Sequence, residues 1–191
     1  MPEPARRRRD PEARRNAIVL AAAESIVEVG VDAITHRMVA ARAGVPLGAT
    51  TQYFDTLDDL REAALELLVA HVGEQIQVLR DVIESQGATA PVIAGHLAEL
   101  TADAVGLKAD RAVVTAAVHD PKLRELARSL SRRVIAVLEP AHGEERATAA
   151  AVFIDGVIWH SQINDAPLPR RIIETALAGI LGDDRLTTRE K

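Results

Sequence analysis

Cysteine is absent from the 191 residues, which excludes a disulfide framework and thiolate metal sites and fits a reducing, cytoplasmic setting. Aromatic side chains are nearly absent too: one tryptophan, one tyrosine and two phenylalanines. Any internal cavity is therefore expected to have mostly aliphatic walls with few stacking contacts. The longest unbroken apolar runs, such as residues 17–23 and 149–154, fall far short of the roughly 20 residues a membrane helix needs. The opening residues lack the apolar core of a secretory signal, so no membrane partner is expected. There is no Gly-x-Ser-x-Gly and no glycine-rich phosphate loop, and the serines at 25, 85, 129, 131 and 161 have no identifiable catalytic partners. No catalytic residue and no enzyme are expected. Alternation of apolar and polar residues over a strand's length is missing as well.

What is present has a helical signature. Alanine and leucine are abundant and apolar residues recur every three or four positions, which predicts an all-α fold. Asp10 before Pro11 reads as an N-cap with proline at the first helical position, opening a helix through Ile18, Ala22 and Ile26 that Gly30 ends. Thr35 caps a short helix over 36–43, Gly44 stops it, and Pro46 begins another that reaches about Phe54. Thr56 and Asp59 form a Thr-x-x-Asp capping box that opens a long helix to about Glu84. Further helices are expected over 91–105, 110–118, 121–139, 144–164 and 169–181, nine in all.

Charge divides the chain. The net −5 hides a head, residues 1–54, with eight arginines against six acids, and a remainder with 15 basic against 22 acidic residues. Between Ile34 and Phe54 the charged side chains besides His36 are Arg37 and Arg42, so nothing there repels a phosphate backbone. The expected organisation is a basic arm over 1–9, a helix-turn-helix domain over 10–55, a helical ligand-binding and dimerisation domain over 56–182, and a tail over 183–191.

The most informative stretch runs from Thr35 to Phe54, THRMVAARAGVPLGATTQYF in one-letter code. Two short helices meet at Gly44, where a left-handed backbone costs little only for glycine, which is the sequence signature of a helix-turn-helix. Val39, Ala40 and Ala43 are expected to face the other helices. Leu47, Thr50, Thr51 and Gln52 are candidates to face outward, and Gly48 and Ala49 are small enough for the backbone to lie close to DNA.

From Ala22 and Ala23 through Gly30, Thr35, Val39, Ala40, Ala43, Gly44, Val45, Gly48, Tyr53 and Phe54 to Leu60, the chain resembles the tetracycline-repressor (TetR) family of regulators. Beyond about residue 65 the likeness is architectural. The resemblance implies a double-stranded DNA operator as partner, with Thr35 and Tyr53 on phosphates and Thr50, Thr51 and Gln52 on bases; Arg37 joins the DNA-facing candidates on its charge. Three departures stand out. Gln52 replaces a frequent tyrosine, Pro46 replaces the usual serine cap, and Leu57 stands where many members carry lysine, with Arg61 the candidate substitute.

The acidic body is larger than a DNA-binding head needs for support. The leading expectation is therefore a repressor that binds an inverted-repeat operator as a homodimer and is released by a small-molecule effector. The alternatives are a helical small-molecule-binding protein or enzyme, and a DNA-binding protein whose body is only structural. A pocket among the helices after Thr56 distinguishes the first from the last. Its expected lining is His71, Gln75, His96, Leu100, Val114, Val118, His119 and Trp159. His71 and His96 begin His-x-x-Glu pairs with Glu74 and Glu99, but the Glu-x-x-His of a carboxylate-bridged metal site is missing, so no metal and no cofactor are expected. Asp155, inside an apolar helix, needs a partner or a wet cavity. That helix is apolar on most sides, which points to a dimer interface through Phe153, Gly156, Val157 and His160, joined by Ile173 and Leu177 of the final helix.

Overall fold

The computed structural model describes residues 10–119, 121–164 and 166–182. The expected arm and most of the expected tail lie outside the described residues. Nine α-helices and no strand occur among those described: α1 Pro11–Val29, α2 His36–Ala43, α3 Leu47–Tyr53, α4 Leu57–Gln86, α5 Ala90–Ala102, α6 Ala104–His119, α7 Pro121–His142, α8 Glu144–Ile163 and α9 Arg170–Leu181.

The chain divides into two compact units, up to Leu67 and from Leu68 onward. In the first, the Asp10 carboxylate accepts from the N–H groups of Glu12 and Ala13 at 3.0 and 3.3 Å, satisfying donors that a helix start leaves open. Ile18, Ala22 and Ile26, spaced by four, form the buried stripe of α1. A 3-10 turn over Val31–Ala33 leads to buried Ile34, and Val39 and Ala40 bury the inner side of α2, which packs on α1 and α3. Full burial of each such aliphatic side chain is worth about 1.5–3 kcal/mol. The capping box at the start of α4 is formed: Asp59 accepts from the Thr56 N–H and hydroxyl at 3.0 and 2.8 Å, and the Asp59 N–H returns to Thr56 Oγ1 at 3.1 Å.

The unit boundary falls within α4, later than the 55/56 division read from the sequence. A capping box marks where a helix begins, whereas a core ends where burial changes partners. Leu60, Ala64 and Leu65 are buried in the first unit.

The second unit is built around α5, α8 and α9. Ile93, Ala94, Leu97, Ala147, Ala150, Ile154, Val157, Ile173 and Leu177 make one contiguous core, joined by Leu138 of α7. Ile76 and Leu79 of α4 meet Leu130 and Val137 of α7 in a second cluster. Arg133 donates to the Gly73 carbonyl at 2.9 Å, tying α7 to α4 where a Cβ on residue 73 would lie 2.6 Å from the guanidinium. Two helix limits differ from the sequence reading. α5 stops at Ala102 because Asp103 is extended (φ −82, ψ 92), and α6 then starts at Ala104 and runs straight through Gly106. α7 continues past Glu139 through Pro140 to His142. His142 Nε2 lies 2.6 Å from the Ala88 carbonyl, anchoring that last turn.

Candidate functional site

Two places in the chain bring functional side chains together, one in each unit. The first is the turn between α2 and α3. Thr35 is extended and its Oγ1 accepts from the Met38 N–H at 3.2 Å. That contact uses a lone pair, so the exposed hydroxyl keeps its proton for an outside acceptor. Gly44 is left-handed at φ 64, ψ 33, and its N–H reaches the Ala40 and Ala41 carbonyls. Val45 donates to Ala40 at 3.0 Å, closing the turn. Pro46 precedes α3 as its N-cap instead of lying within its first turn, and supplies no side-chain cap.

Along α3, Leu47, Gly48, Thr51 and Gln52 are exposed and Tyr53 is half-buried. Nothing lies within 4 Å of where a Cβ on residue 48 would stand. Thr50 does not face outward as the sequence reading has it. Its relative exposure is 0% and its Oγ1 donates to the Leu47 carbonyl at 2.8 Å. Ala49 is also buried. In a seven-residue helix that must seat on α2, the third and fourth residues fall on the packed side, which pattern alone assigned to DNA. Phe54 is buried, with the Arg15 guanidinium 5.1 Å from its ring centre.

The two arginines of the motif are not equivalent. Arg42 hydrogen-bonds Glu28 and lies 3.8 Å from Glu24, both on α1. Arg37 is exposed and, among the described residues, carries no ion pair. Arg61, the candidate substitute for a phosphate-binding lysine, is engaged by Asp58 at 2.9 Å and by the Asp32 carbonyl at 3.1 Å.

The second place is a cavity of about 560 Å³ within the second unit, walled by α4 through α8. Of the residues expected there, His71, Gln75, His96, Leu100, Val114 and Trp159 line it. Val118 does not line it and is 59% exposed. The side chain of His119 lies outside the described residues. The sequence reading missed Asp110 and Gln162. Gln162 donates to the Asp110 carboxylate at 2.9 Å. An acid in the first half of a helix is so ordinary that nothing singled Asp110 out. Asp155, exposed on α8, also lines the cavity.

Burial raises the Asp110 carboxyl above its ordinary pKa despite the opposing hydrogen bond from Gln162. Burial, and then the charge of Asp110, raises Asp155. Burial lowers the His96 imidazole, with Glu99 opposing. Among the described residues no group of His, Asp and Glu is arranged to hold a metal ion, and no helix is long and apolar enough to cross a membrane.

The expected dimer residues divide. Gly156 is exposed, and Phe153 and His160 are half-buried. Val157, Ile173 and Leu177 are 1%, 0% and 0% exposed in this chain's own core, so they are not available to a second copy. The apolar stripe of α9 closes against α5 and α8 instead. The outward apolar residues of this region are Val152, Trp159, Ile163 and Ile172.

No protein-family model matches the chain. The HTH-type transcriptional regulator BetI of Serratia proteamaculans (strain 568) is 26% identical over 164 residues, 80% of this chain and 83% of that protein. BetI of Escherichia coli O157:H7 is 26% identical over 168 residues, 82% and 86% of the two. Among solved structures, a TetR-family member from Streptomyces coelicolor A3 superposes with a TM-score of 0.75 at 29% identity, covering 88% of this chain and 98% of that one. In sequence and in fold the chain is similar to TetR-family transcriptional regulators.

The multidrug binding protein EbrR, solved with malachite green, is similar to this chain at 27% identity and a TM-score of 0.74, over 88% of this chain and 98% of that one. The sequence relatives are HTH-type transcriptional regulators. The α2–α3 turn is the helix-turn-helix of a regulator.

Proposed function

We propose that this chain is a ligand-responsive repressor that acts in the cytoplasm, binds an inverted-repeat operator as a homodimer and is released by a small molecule held in the α4–α8 cavity. The carrying observation is that a cavity of about 560 Å³, within the range of small-molecule sites, sits in a different unit from the helix-turn-helix. A body that only supported the head would fill that space with side chains. The relation to EbrR, a multidrug binding protein, supports the same reading.

On the DNA, exposed Gln52 and Thr51 are the base readers, Leu47 and Gly48 allow close approach, and Thr35, Arg37 and Tyr53 hold phosphates. For the homodimer, Val152, Gly156, Trp159 and Ile163 follow one another at spacings of four, three and four on α8. They form one exposed stripe, with Ile172 on α9 adding to the outward apolar surface. Two heads related by a two-fold axis read an inverted repeat. α4 belongs to both units, so a ligand against His71 and Gln75 acts on an element the head also uses. It weakens operator binding only if it prefers the conformation in which the heads are wrongly spaced.

The test is fluorescence anisotropy of DNA fragments from the neighbourhood of the chain's own gene, followed by a ligand screen against the fragment that binds. A bound palindrome released by a compound that occupies the cavity is the expected result. Operator binding that no cavity-filling compound changes would leave a DNA-binding protein with a structural body.

A further inference from the structure

We infer that Arg15 of α1 is a further contact to the DNA backbone, its guanidinium held over Phe54 at the end of α3 and turned to a phosphate beside the bases that α3 reads. The inference deepens the DNA-binding reading and rests on it.

Arg15 precedes the buried Ile18 and Val19 by three and four positions, so its stem leaves α1 on the side that faces the core of the first unit. The side chain nonetheless ends at the surface: Arg15 is exposed, while the Phe54 ring beneath its guanidinium is buried. At 5.1 Å from the ring centre the cation is attracted to the aromatic face. A planar guanidinium over a ring keeps the N–H groups of its edge free. Among the described residues the Arg15 side chain makes no hydrogen bond and no ion pair. Phe54 is the C-cap of α3, directly after Gln52 and Tyr53, so the cation stands at the end of the helix that carries the proposed base reader and phosphate contact.

The charges that follow Phe54 explain why a cation is needed there. Asp55, Asp58 and Asp59 come next in the chain, with no basic residue before Arg61. Arg61 is itself held by Asp58 at 2.9 Å and the Asp32 carbonyl at 3.1 Å, and Arg42 is held by Glu28 and Glu24. Left to its own residues, the junction of α3 and α4 would present carboxylates to a polyanion. Arg15 supplies the opposite charge from a separate helix, and its fork matches two phosphate oxygens at once. Were covering Phe54 its whole task, an apolar side chain of the same length would serve as well, and that difference is measurable.

Arg15→Met keeps the cover over Phe54 and removes the charge, whereas Arg15→Lys keeps the charge and loses the fork. Binding of the full chain to a labelled mixed-sequence duplex of about 30 base pairs is followed by anisotropy over a series of salt concentrations, because a phosphate contact is independent of sequence. R15M should bind ~10-fold more weakly at low salt. The magnitude of its slope of log affinity against log salt should fall by about one for each protomer on the duplex. R15K should keep the wild-type slope and recover part of the affinity. A second arm uses the unaltered protein: the duplex should protect Arg15 from phenylglyoxal, read by peptide mass mapping, while exposed Arg128 on α7 stays reactive. An R15M protein with the wild-type slope, whether or not its affinity falls, or an Arg15 that reacts equally on and off the duplex, would overturn the inference and leave the DNA-binding reading standing. A wild-type protein that binds no duplex at low salt would overturn both.

Discussion

Gln162 on α8 donates to Asp110 on α6 at 2.9 Å, joining two walls of the cavity through a carboxylate whose burial holds its pKa above the ordinary value. Removing the donor leaves that carboxylate with the cost and without the compensation. Gln162→Leu should therefore raise the Asp110 pKa further and lower the melting temperature at neutral pH, by the equivalent of about 1–3 kcal/mol for a buried acceptor left unsatisfied. The loss should shrink when Asp110 is also changed to Asn. Carboxyl chemical shifts followed through a pH titration, with melting curves of the single and double variants, check both statements.

The pH dependence of stability follows from the same two carboxyls. Their folded pKa values lie above the ordinary aspartate value. Their stabilising contribution is thus fully present below the unfolded value and is lost as pH rises through the raised folded values. His96 has the other sign: its folded pKa lies below 6.5, so its contribution is present above the unfolded value and lost as pH falls through the folded one. Subtracting the melting profile of the D110N/D155N double variant from that of the wild type cancels the histidine. The difference should favour the wild type most in acid and decline toward neutrality. A flat difference across about pH 4 to 8 would remove these carboxyls from the account.

Base reading should separate Thr50 from Gln52. Thr50 is fully buried with its hydroxyl on the Leu47 carbonyl, so Thr50→Val should cost about 1 kcal/mol of stability and leave the order of preferred operators as it was. Gln52→Ala should lose roughly 1–3 kcal/mol against the preferred operator and little against a scrambled duplex. Titrations on both duplexes at two salt concentrations decide. Equal losses on the two duplexes would take base reading away from Gln52.

Gly156 tests the dimer without disturbing the protomer. Nothing lies within 4 Å of a Cβ built there, so Gly156→Arg has room within its own chain and should melt close to the wild type. Across the proposed α8 interface the same side chain places a charge against Val152, Trp159 and Ile163. The variant should sediment as a monomer and lose most of its affinity for a full palindrome, though its helix-turn-helix is unchanged. A dimer of normal affinity would place the interface elsewhere.

Gly44 sits at φ 64 with open space around it, so Gly44→Ala meets no clash and pays only for the left-handed backbone, about 1–2 kcal/mol. Head melting followed by hydrogen exchange should show that loss in residues of α2 and α3. An unchanged head would mean that the turn adopts another conformation in solution.

The sequence determined by itself what depends on near neighbours in the chain. Asp10 with Pro11, Thr56 with Asp59 and the stop at Gly44 appear in the structure as read, because caps and turns are settled by residues two to four positions apart. The all-helical class followed from apolar spacing, and the resemblance to a regulator family from the dense pattern between Ala22 and Leu60.

Only the tertiary structure decided which side of each helix was already taken. Thr50 and Ala49 turned inward, and Ile173 and Leu177 entered the chain's own core, since a helical stripe says that a face is covered and not by what. It also decided that Asp110 meets Gln162, 52 residues away in the chain, and that Asp155 lines the same cavity. Burial of a charge is a property of the assembled walls, and no periodicity along the chain carries it.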